Sequence, residues 1–70
     1  MYKLYYSSTC EHCQRLFREC NTNGIELINV NEQTYPQYVV NVPTLEDSTE
    51  QKIYIGTDVF EVIKNNNKVE

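Results

Sequence analysis

Two cysteines separated by two residues, Cys10 and Cys13, are the part of this sequence best suited to chemistry. A thiolate is the nucleophile in thiol–disulfide exchange, whereas a free thiol with a pKa near ~8.5 is mostly protonated at neutral pH. On the first turn of a helix, a second sulfur at this spacing comes within disulfide geometry, which tolerates Cα separations of about 4.4–6.8 Å. One cysteine can therefore attack a disulfide, and the other can resolve the mixed disulfide that results.

The residues around this pair predict a strand, a turn and a helix. Tyr2–Tyr6 alternates in the manner of a strand, and residues 7–9 break the alternation. Apolar residues then recur at helical spacing, at Cys13, Leu16, Phe17 and Cys20. Cys10 is thus predicted at a helix N-terminus, where unpaired N–H groups and the positive end of the helix dipole favour a thiolate. We expect Cys10 to attack, and Cys13, a turn further into the helix, to be more buried and to resolve.

The two residues between the cysteines, Glu11 and His12, are expected to face the substrate and to tune the couple. A protonated His12 stabilises a neighbouring thiolate and makes the disulfide more oxidising. Glu11 acts in the opposite direction, because a carboxylate disfavours an anion beside it. The sequence does not rank these effects, and a solvated surface position is the alternative interpretation of His12.

Half of a zinc site is the main competing interpretation of Cys10 and Cys13. A structural zinc site needs four ligands. The other candidates are Cys20 and His12, and neither belongs to a second spaced pair, so we expect no metal. Cys20 lies roughly 10 Å along the helix from Cys13, which is too far for a disulfide. Cys20 is therefore predicted to be a small buried apolar residue outside the couple.

Length and charge predict one small acidic domain spanning residues 1–70, since the formal charge is −4. Lysine and arginine are scattered, whereas nucleic acid and anionic membranes favour a basic stripe. No apolar run reaches the ~18 residues of a membrane span, and no signal-peptide core is recognisable. We expect a soluble, cytoplasmic monomer with no nucleic-acid or membrane partner. In a compartment that keeps thiols reduced, a close cysteine pair is more often catalytic or metal-binding than structural.

The first half of the chain predicts a β-α-β unit followed by a short helix. Gly24 or Asn23 is expected to end the first helix in a left-handed cap. The nearly continuous apolar run at residues 25–30 predicts a strand covered on both faces. This strand should be parallel to the first, because a helix connects the two. Within residues 31–41, a stub of helix is predicted to begin at Pro36.

The second half predicts a hairpin and a last helix. Two short apolar runs around a polar turn, at residues 42–45 and 52–55, are typical of a β-hairpin. Pro43 is expected at the start of its strand, because proline donates no ladder hydrogen bond. Thr57 or Asp58 is predicted to cap the helix, the latter through a capping box. The run of three asparagines should end this helix, before frayed terminal residues.

The sequence resembles the glutaredoxins in three places. These are Cys10-Glu11-His12-Cys13 after an aromatic strand, Val42-Pro43 before a hairpin, and Ile55-Gly56-Thr57-Asp58 before the last helix. The resemblance covers the whole chain except residues 31–41, which are shorter than the family's second helix. It implies an α/β protein of the thioredoxin fold. Such a protein has a four-stranded mixed sheet and, here, the element order β-α-β-(short α)-β-β-α.

The resemblance also implies roles for residues outside the cysteine pair. In glutaredoxins the peptide bond before the proline corresponding to Pro43 is cis and lies against the active cysteines. The preceding residue, here Val42, then offers its backbone to an extended substrate. The loop at Thr57 and Asp58 corresponds to one that grips the glutamyl end of glutathione. The chain departs from the family at Ser7, where glutaredoxins usually carry a lysine or arginine that meets a glutathione carboxylate.

The function implied by the resemblance is that of a thiol–disulfide oxidoreductase with Cys10 and Cys13 as its couple. It would reduce or exchange protein or glutathione mixed disulfides, as an electron donor or in cell redox homeostasis. No metal or organic cofactor is needed, and either glutathione as co-substrate or a reductase resets the couple. The alternative is a non-catalytic metal or iron–sulfur binding module on the same fold, with Cys10 as a ligand across a dimer. A third interpretation is a degenerate fold used only for protein interaction.

Overall fold

The computed structural model of the chain describes residues 2–67 and has two helices and a four-stranded mixed sheet. The prediction of a mixed α/β protein with this sheet is confirmed. Along the chain the elements are β1 (Tyr2–Tyr6), α1 (Glu11–Glu19), β2 (Glu26–Asn29), β3 (Thr44–Asp47), β4 (Lys52–Ile55) and α2 (Thr57–Asn67). The predicted fraying of the last residues, 68–70, lies outside the described residues.

The strand order in the sheet is β2-β1-β3-β4, so β1 is one of the two central strands. β1 pairs in parallel with β2, as predicted, with Leu4 opposite Leu27. It pairs antiparallel with β3 on its other side, where Leu4 lies opposite Leu45. A parallel pair requires a crossover connection, and α1 supplies it. The loop that follows β1 therefore starts at the middle of one end of the sheet and leads directly into α1.

One face of the sheet and both helices share the larger hydrophobic core. Leu4 and Leu45 from the central strands are fully buried there. The helices contribute Leu16 from α1 and Val59 and Ile63 from α2 to the same cluster. Each such side chain contributes about 1.5–3 kcal/mol by leaving water. This burial fixes α1 against β1, and with it the position of the helix N-terminus.

The opposite face of the sheet is covered without a helix. The stub of helix predicted within residues 31–41 is wrong: the segment is irregular, with a turn at residues 30–32 and another closed by the Val39 N–H on the Pro36 carbonyl at 3.1 Å. The residue before a proline is disfavoured in helical backbone, and β-branched residues lower helix propensity. Few residues remain between Pro36 and the hairpin to offset the cost of helix nucleation. Val39 nevertheless packs with Tyr5 and Ile28 in a second, smaller core.

Two tyrosines fasten this segment to the sheet through one carboxylate. Tyr38, in the segment, and Tyr5, on β1, both donate to Oε1 of Glu46 on β3, at 2.6 and 3.1 Å. Burial and the hydrogen bond to Glu46 raise the pKa of Tyr5, so its hydroxyl stays protonated and remains a donor. The segment that leads to Val42 is thus held by packing at Val39 and by hydrogen bonds at Tyr38.

The second strand differs from its prediction. It is shorter than residues 25–30 and lies at an edge of the sheet, and Leu27 is 41% exposed while Ile28 is buried. The expectation of cover on both faces is wrong: Leu27 shares the helix-bearing face with its partner Leu4, but at this edge of the sheet it stays exposed. Gly24 does have a left-handed φ of 84°. However, it lies in the turn before β2 rather than at the helix end, since α1 already ends at Glu19.

The hairpin is confirmed, although its first strand lies two residues later than the predicted run at 42–45. β3 includes Glu46 and Asp47, which the polarity of the sequence had assigned to the turn. The buried Asp47 carboxylate accepts the N–H groups of Thr49 and Glu50 at 3.0 and 3.3 Å. This side-chain turn closes the hairpin. Pro43 lies immediately before the strand rather than within it.

The last helix begins one residue earlier than a cap at Thr57 or Asp58 would allow. α2 starts at Thr57, and the Val59 N–H donates to the Gly56 carbonyl at 3.2 Å. The predicted caps and the capping box from Asp58 to Glu61 are therefore wrong. Asp58 lies instead in the first turn, where its negative charge interacts favourably with the positive end of the helix dipole. α2 extends through the asparagine run to Asn67, the last residue that the structure describes, so the predicted helix end stays a prediction.

No helix within residues 2–67 has the length and apolar character needed to cross a membrane.

Neighbouring valines in the 31–41 segment provide a matched test of its packing. Val39 is buried whereas Val40 is 77% exposed. We expect Val39→Ala to lower the free energy of unfolding by about 2 kcal/mol, through lost burial and a residual cavity. Val40→Ala should change it by no more than about 0.5 kcal/mol. Urea unfolding followed by circular dichroism measures both, and equal effects would contradict the assigned packing.

Candidate active site

The loop between β1 and α1 is held by side-chain hydrogen bonds. The Cys10 N–H donates to the Ser7 carbonyl at 3.2 Å, and the Ser7 and Thr9 hydroxyls lie 3.0 Å apart. Asn31 Nδ2 donates to the hydroxyls of Ser7 and Ser8 at 2.9 and 3.2 Å. Through Asn31, hydrogen bonds therefore connect the loop that precedes α1 to the segment that follows β2. Sequence reasoning missed Asn31, since its partners lie far away along the chain.

Cys10 is the N-cap residue of α1, as predicted. Its backbone is extended, at φ −89° and ψ 120°, and its carbonyl accepts the first helical bond from the Gln14 N–H at 3.1 Å. Its Sγ accepts a hydrogen bond from the Cys13 N–H at 3.4 Å. Capping side chains normally satisfy such donors with oxygen, and here a sulfur does so. An anionic sulfur accepts this bond more strongly than a neutral one.

Cys13 lies one turn further on and is fully buried. Burial raises the pKa of the Cys13 thiol to about 12; the neighbouring Cys10 thiol adds to this rise, and the Ser7 backbone opposes it. Cys13 is therefore a neutral thiol at physiological pH. The half-buried Cys10 and the buried Cys13 are both reduced in this structure. The predicted difference in burial between the two is confirmed.

Val42 faces the reactive sulfur from the other side of the site. The Cys10 thiol donates to the Val42 carbonyl at 3.8 Å from Sγ. The Val42–Pro43 peptide bond is cis, as the sequence resemblance implied, and Pro43 is buried. The backbone of Val42 thus lies within contact distance of the sulfur at which exchange would occur.

Four of the predicted substrate residues line one groove of about 340 Å³: His12, Val42, Pro43 and Thr57. We name this the proline-side groove. Glu11 and Asp58, the other two, are exposed and do not line it. The groove also contains Ile55 and Phe60, which sequence reasoning assigned to the hairpin and the helix core. In the sequence, only their closeness to Thr57 could have indicated that these two residues line the groove.

Cys20 belongs to the hydrophobic core and not to the site. It is the C-cap residue of α1, at the opposite end of the helix from Cys10, and it is buried in the larger core. Burial raises the pKa of its thiol as well. The prediction of a buried apolar role for Cys20 is confirmed. Within residues 2–67, no three or more histidine, cysteine, aspartate or glutamate side chains are grouped so that they could hold a metal ion.

The unequal burial of the three thiols predicts a clear order of alkylation. Iodoacetamide at neutral pH should modify Cys10 first in the folded protein, because Cys13 and Cys20 are buried and protonated. Raising the pH to 9 should leave Cys13 slow, since its thiol ionises only near pH 12. Mass spectrometry of the digested protein measures the order, and the urea-unfolded chain, in which all three react alike, is the control. Alkylation of Cys13 as fast as that of Cys10 in the folded protein would contradict the assigned burial of Cys13.

Comparisons with protein-family models, with curated proteins and with solved structures gave no match to this chain. No relative therefore assigns roles to these residues. The roles proposed below follow from the chain's own geometry together with the resemblance in its sequence.

Proposed function

We propose that the protein is a thiol–disulfide oxidoreductase of the thioredoxin fold, similar to the glutaredoxins. The observation that carries the proposal is the pairing of Cys10, half-buried at the N-terminus of α1, with Cys13, buried one turn behind. The strand order β2-β1-β3-β4, with only β1 and β2 parallel, is compatible with that fold. So is the position of the Val42 carbonyl against the first cysteine.

The reaction begins with the Cys10 thiolate attacking one sulfur of a substrate disulfide. A bond forms between Cys10 Sγ and that sulfur, the substrate disulfide breaks, and the leaving thiolate takes up a proton. Cys13 then loses its proton and attacks Cys10 Sγ, which releases the second substrate thiol. Two electrons pass to the substrate, and the protein is left with a Cys10–Cys13 disulfide.

The two thiols differ in a way that suits these two steps. Cys10 accepts the Cys13 N–H and is accessible, so it meets the substrate first. The high pKa of Cys13 keeps its thiol protonated and unreactive until a mixed disulfide forms at Cys10. In the mixed disulfide, Cys10 no longer carries a negative charge that disfavours ionisation of Cys13. The resolving step is thereby favoured after attack rather than before it.

The proline-side groove and the Val42 backbone support binding of an extended substrate. A chain laid along Val42 pairs with its backbone as an added strand, with the substrate disulfide over Cys10. His12, when protonated, favours the thiolate, while the exposed Glu11 opposes it. Disulfide-bearing proteins are the proposed substrates. Glutathione or a reductase resets the couple, and the two differ in whether glutathione alone sustains turnover.

Cysteine variants test the proposal directly. With hydroxyethyl disulfide as substrate, and either glutathione or a thioredoxin reductase as electron source, we expect Cys10→Ser to abolish turnover. With hydroxyethyl disulfide alone and no added glutathione, Cys13→Ser should accumulate a mixed disulfide at Cys10, visible by mass as an added substrate thiol, because no resolving thiol is then present. Cys20→Ser is the matched control and should retain the wild-type rate.

Two outcomes would contradict the proposed function. One is a Cys10→Ser protein that folds, by circular dichroism, and turns over as fast as the wild type. The other is an absorption spectrum of the purified protein with the charge-transfer bands of an iron–sulfur cluster lost in Cys10→Ser. The second result would favour the metal-binding module instead.

A further inference from the structure

Asn31 links the turn after β2 to the loop that leads into the reactive cysteine. Its Nδ2 donates to the Ser7 hydroxyl at 2.9 Å and to the Ser8 hydroxyl at 3.2 Å. Ser7 is buried, so its hydroxyl depends on protein partners rather than on water. The Asn31 amide is one of those partners, and the Thr9 N–H, at 3.3 Å, is another. The position of Ser7 therefore depends on a residue from a different part of the chain.

The turn that carries Asn31 is itself well held. The Val30 N–H donates to the Tyr6 carbonyl at 2.8 Å, which continues the pairing of β1 with β2 beyond Asn29. The Asn31 N–H donates to Asn29 Oδ1 at 2.9 Å, and the Asn29 carbonyl accepts the Gln33 N–H at 2.9 Å. The Asn31 side chain is thus presented to the loop from a fixed stretch of backbone.

The Ser7 backbone acts on both cysteines of the pair. Its carbonyl accepts the Cys10 N–H at 3.2 Å and so holds the main chain that carries the attacking sulfur. It also opposes the rise that burial causes in the pKa of the Cys13 thiol. The Ser7 N–H accounts for this effect, since a donor stabilises a thiolate whereas a carbonyl stabilises a protonated thiol. Ser7 therefore holds one cysteine in place and favours the ionised form of the other.

The two steps of exchange depend on this backbone to different degrees. Attack needs an accessible Cys10 sulfur, and the substrate brings the second sulfur from solution. Resolution needs an ionised Cys13 sulfur in line with a Cys10 sulfur that is already bonded. Reactions between groups held within one molecule are sensitive to the relative position of those groups. A small displacement of the loop should therefore slow resolution more than attack.

We infer that Asn31 is a positioning residue for the resolving step. By holding Ser7, it keeps the Ser7 backbone against Cys10 and Cys13 while the mixed disulfide is cleaved. Asn31 acts through Ser7 and takes no part in the bond changes. This inference rests on the proposed function and assigns a residue outside the cysteine pair to one step of it.

The bond changes of that step are those of thiol–disulfide exchange. The Cys13 thiol gives its proton to solvent, and its thiolate forms a bond to Cys10 Sγ. The bond from Cys10 Sγ to the substrate sulfur breaks, and the substrate leaves as a thiolate that takes up a proton. Asn31 is expected to influence how readily Cys13 ionises and how well the two sulfurs are aligned.

Dithiobisnitrobenzoate separates the two steps in one experiment. Attack by Cys10 on this small disulfide releases one thionitrobenzoate at a rate that rises with reagent concentration. Attack by Cys13 on the mixed disulfide releases a second at a rate independent of that concentration. We expect Asn31→Ala to slow the second release about fivefold, the scale of one hydrogen bond, and to change the first less than about twofold. Stopped-flow absorbance of the pre-reduced protein measures both releases.

Two further variants locate the effect. Asn23→Ala is the matched control and should leave both releases unchanged: Asn23 is also exposed, but it lies between α1 and β2, beyond the end of the helix opposite to Cys10. Ser7→Ala removes the hydroxyl that Asn31 holds, so it should slow the second release as Asn31→Ala does. The double variant should be no slower than the slower single variant, because both changes break the same contact. Circular dichroism checks that each variant is folded.

The outcomes separate this inference from the proposed function. Equal second releases in the wild type and in Asn31→Ala would overturn the inference and leave the function standing. Equal slowing of both releases would also overturn it, because the effect would not belong to one step. Additive effects of Ser7→Ala and Asn31→Ala would contradict the route through Ser7. If the wild type makes no second release, Cys13 does not resolve the mixed disulfide and the proposed function itself fails.

Discussion

The hydrogen bond from the Cys13 N–H to Cys10 Sγ, at the N-terminus of α1, is the interaction on which the rest of the site depends. It makes one cysteine the cap of a helix and places the other inside the first turn. Cys13 is consequently the more buried of the two thiols, and this burial raises its pKa. The central position of β1 and the packing of Leu16 hold this helix end against the sheet. A pair of identical side chains is thereby given two different chemical environments, which is what a nucleophile and a resolving thiol require.

The other half of the site depends on how the second face of the sheet is covered. A chain of 70 residues covers it with the irregular segment 31–41 rather than with a helix. Packing at Val39 and the hydrogen bond from Tyr38 to Glu46 hold this segment in place. Val42 directly follows the segment, so the same contacts that complete the small core also position the backbone opposite Cys10. They leave Val40 exposed beside it.

What could be predicted from the sequence was what local spacing determines. The cap at Cys10, the burial of Cys13 and the two strands of the hairpin follow from residues that are neighbours along the chain. The prediction of a short helix within residues 31–41 failed because its apolar residues contact the sheet singly and do not form one helical face. The spacing of apolar residues in the sequence does not reveal this. The exposure of Leu27 depends on β2 being an edge strand, and the role of Asn31 depends on hydroxyls more than twenty residues away. Both are set by tertiary arrangement, so no local pattern contains them.

The most direct test of the central claim is a redox titration of the folded protein in glutathione buffers, with acid trapping and mass spectrometry of the thiols. We expect Cys10 and Cys13 to lose two hydrogens together in a single two-electron transition while Cys20 remains a thiol. The midpoint should lie within the range of about −270 to −120 mV that thioredoxins, glutaredoxins and related oxidoreductases cover. If Cys10 and Cys13 stay separate thiols throughout that range, or if the disulfide that forms includes Cys20, the pairing proposed for this site is wrong.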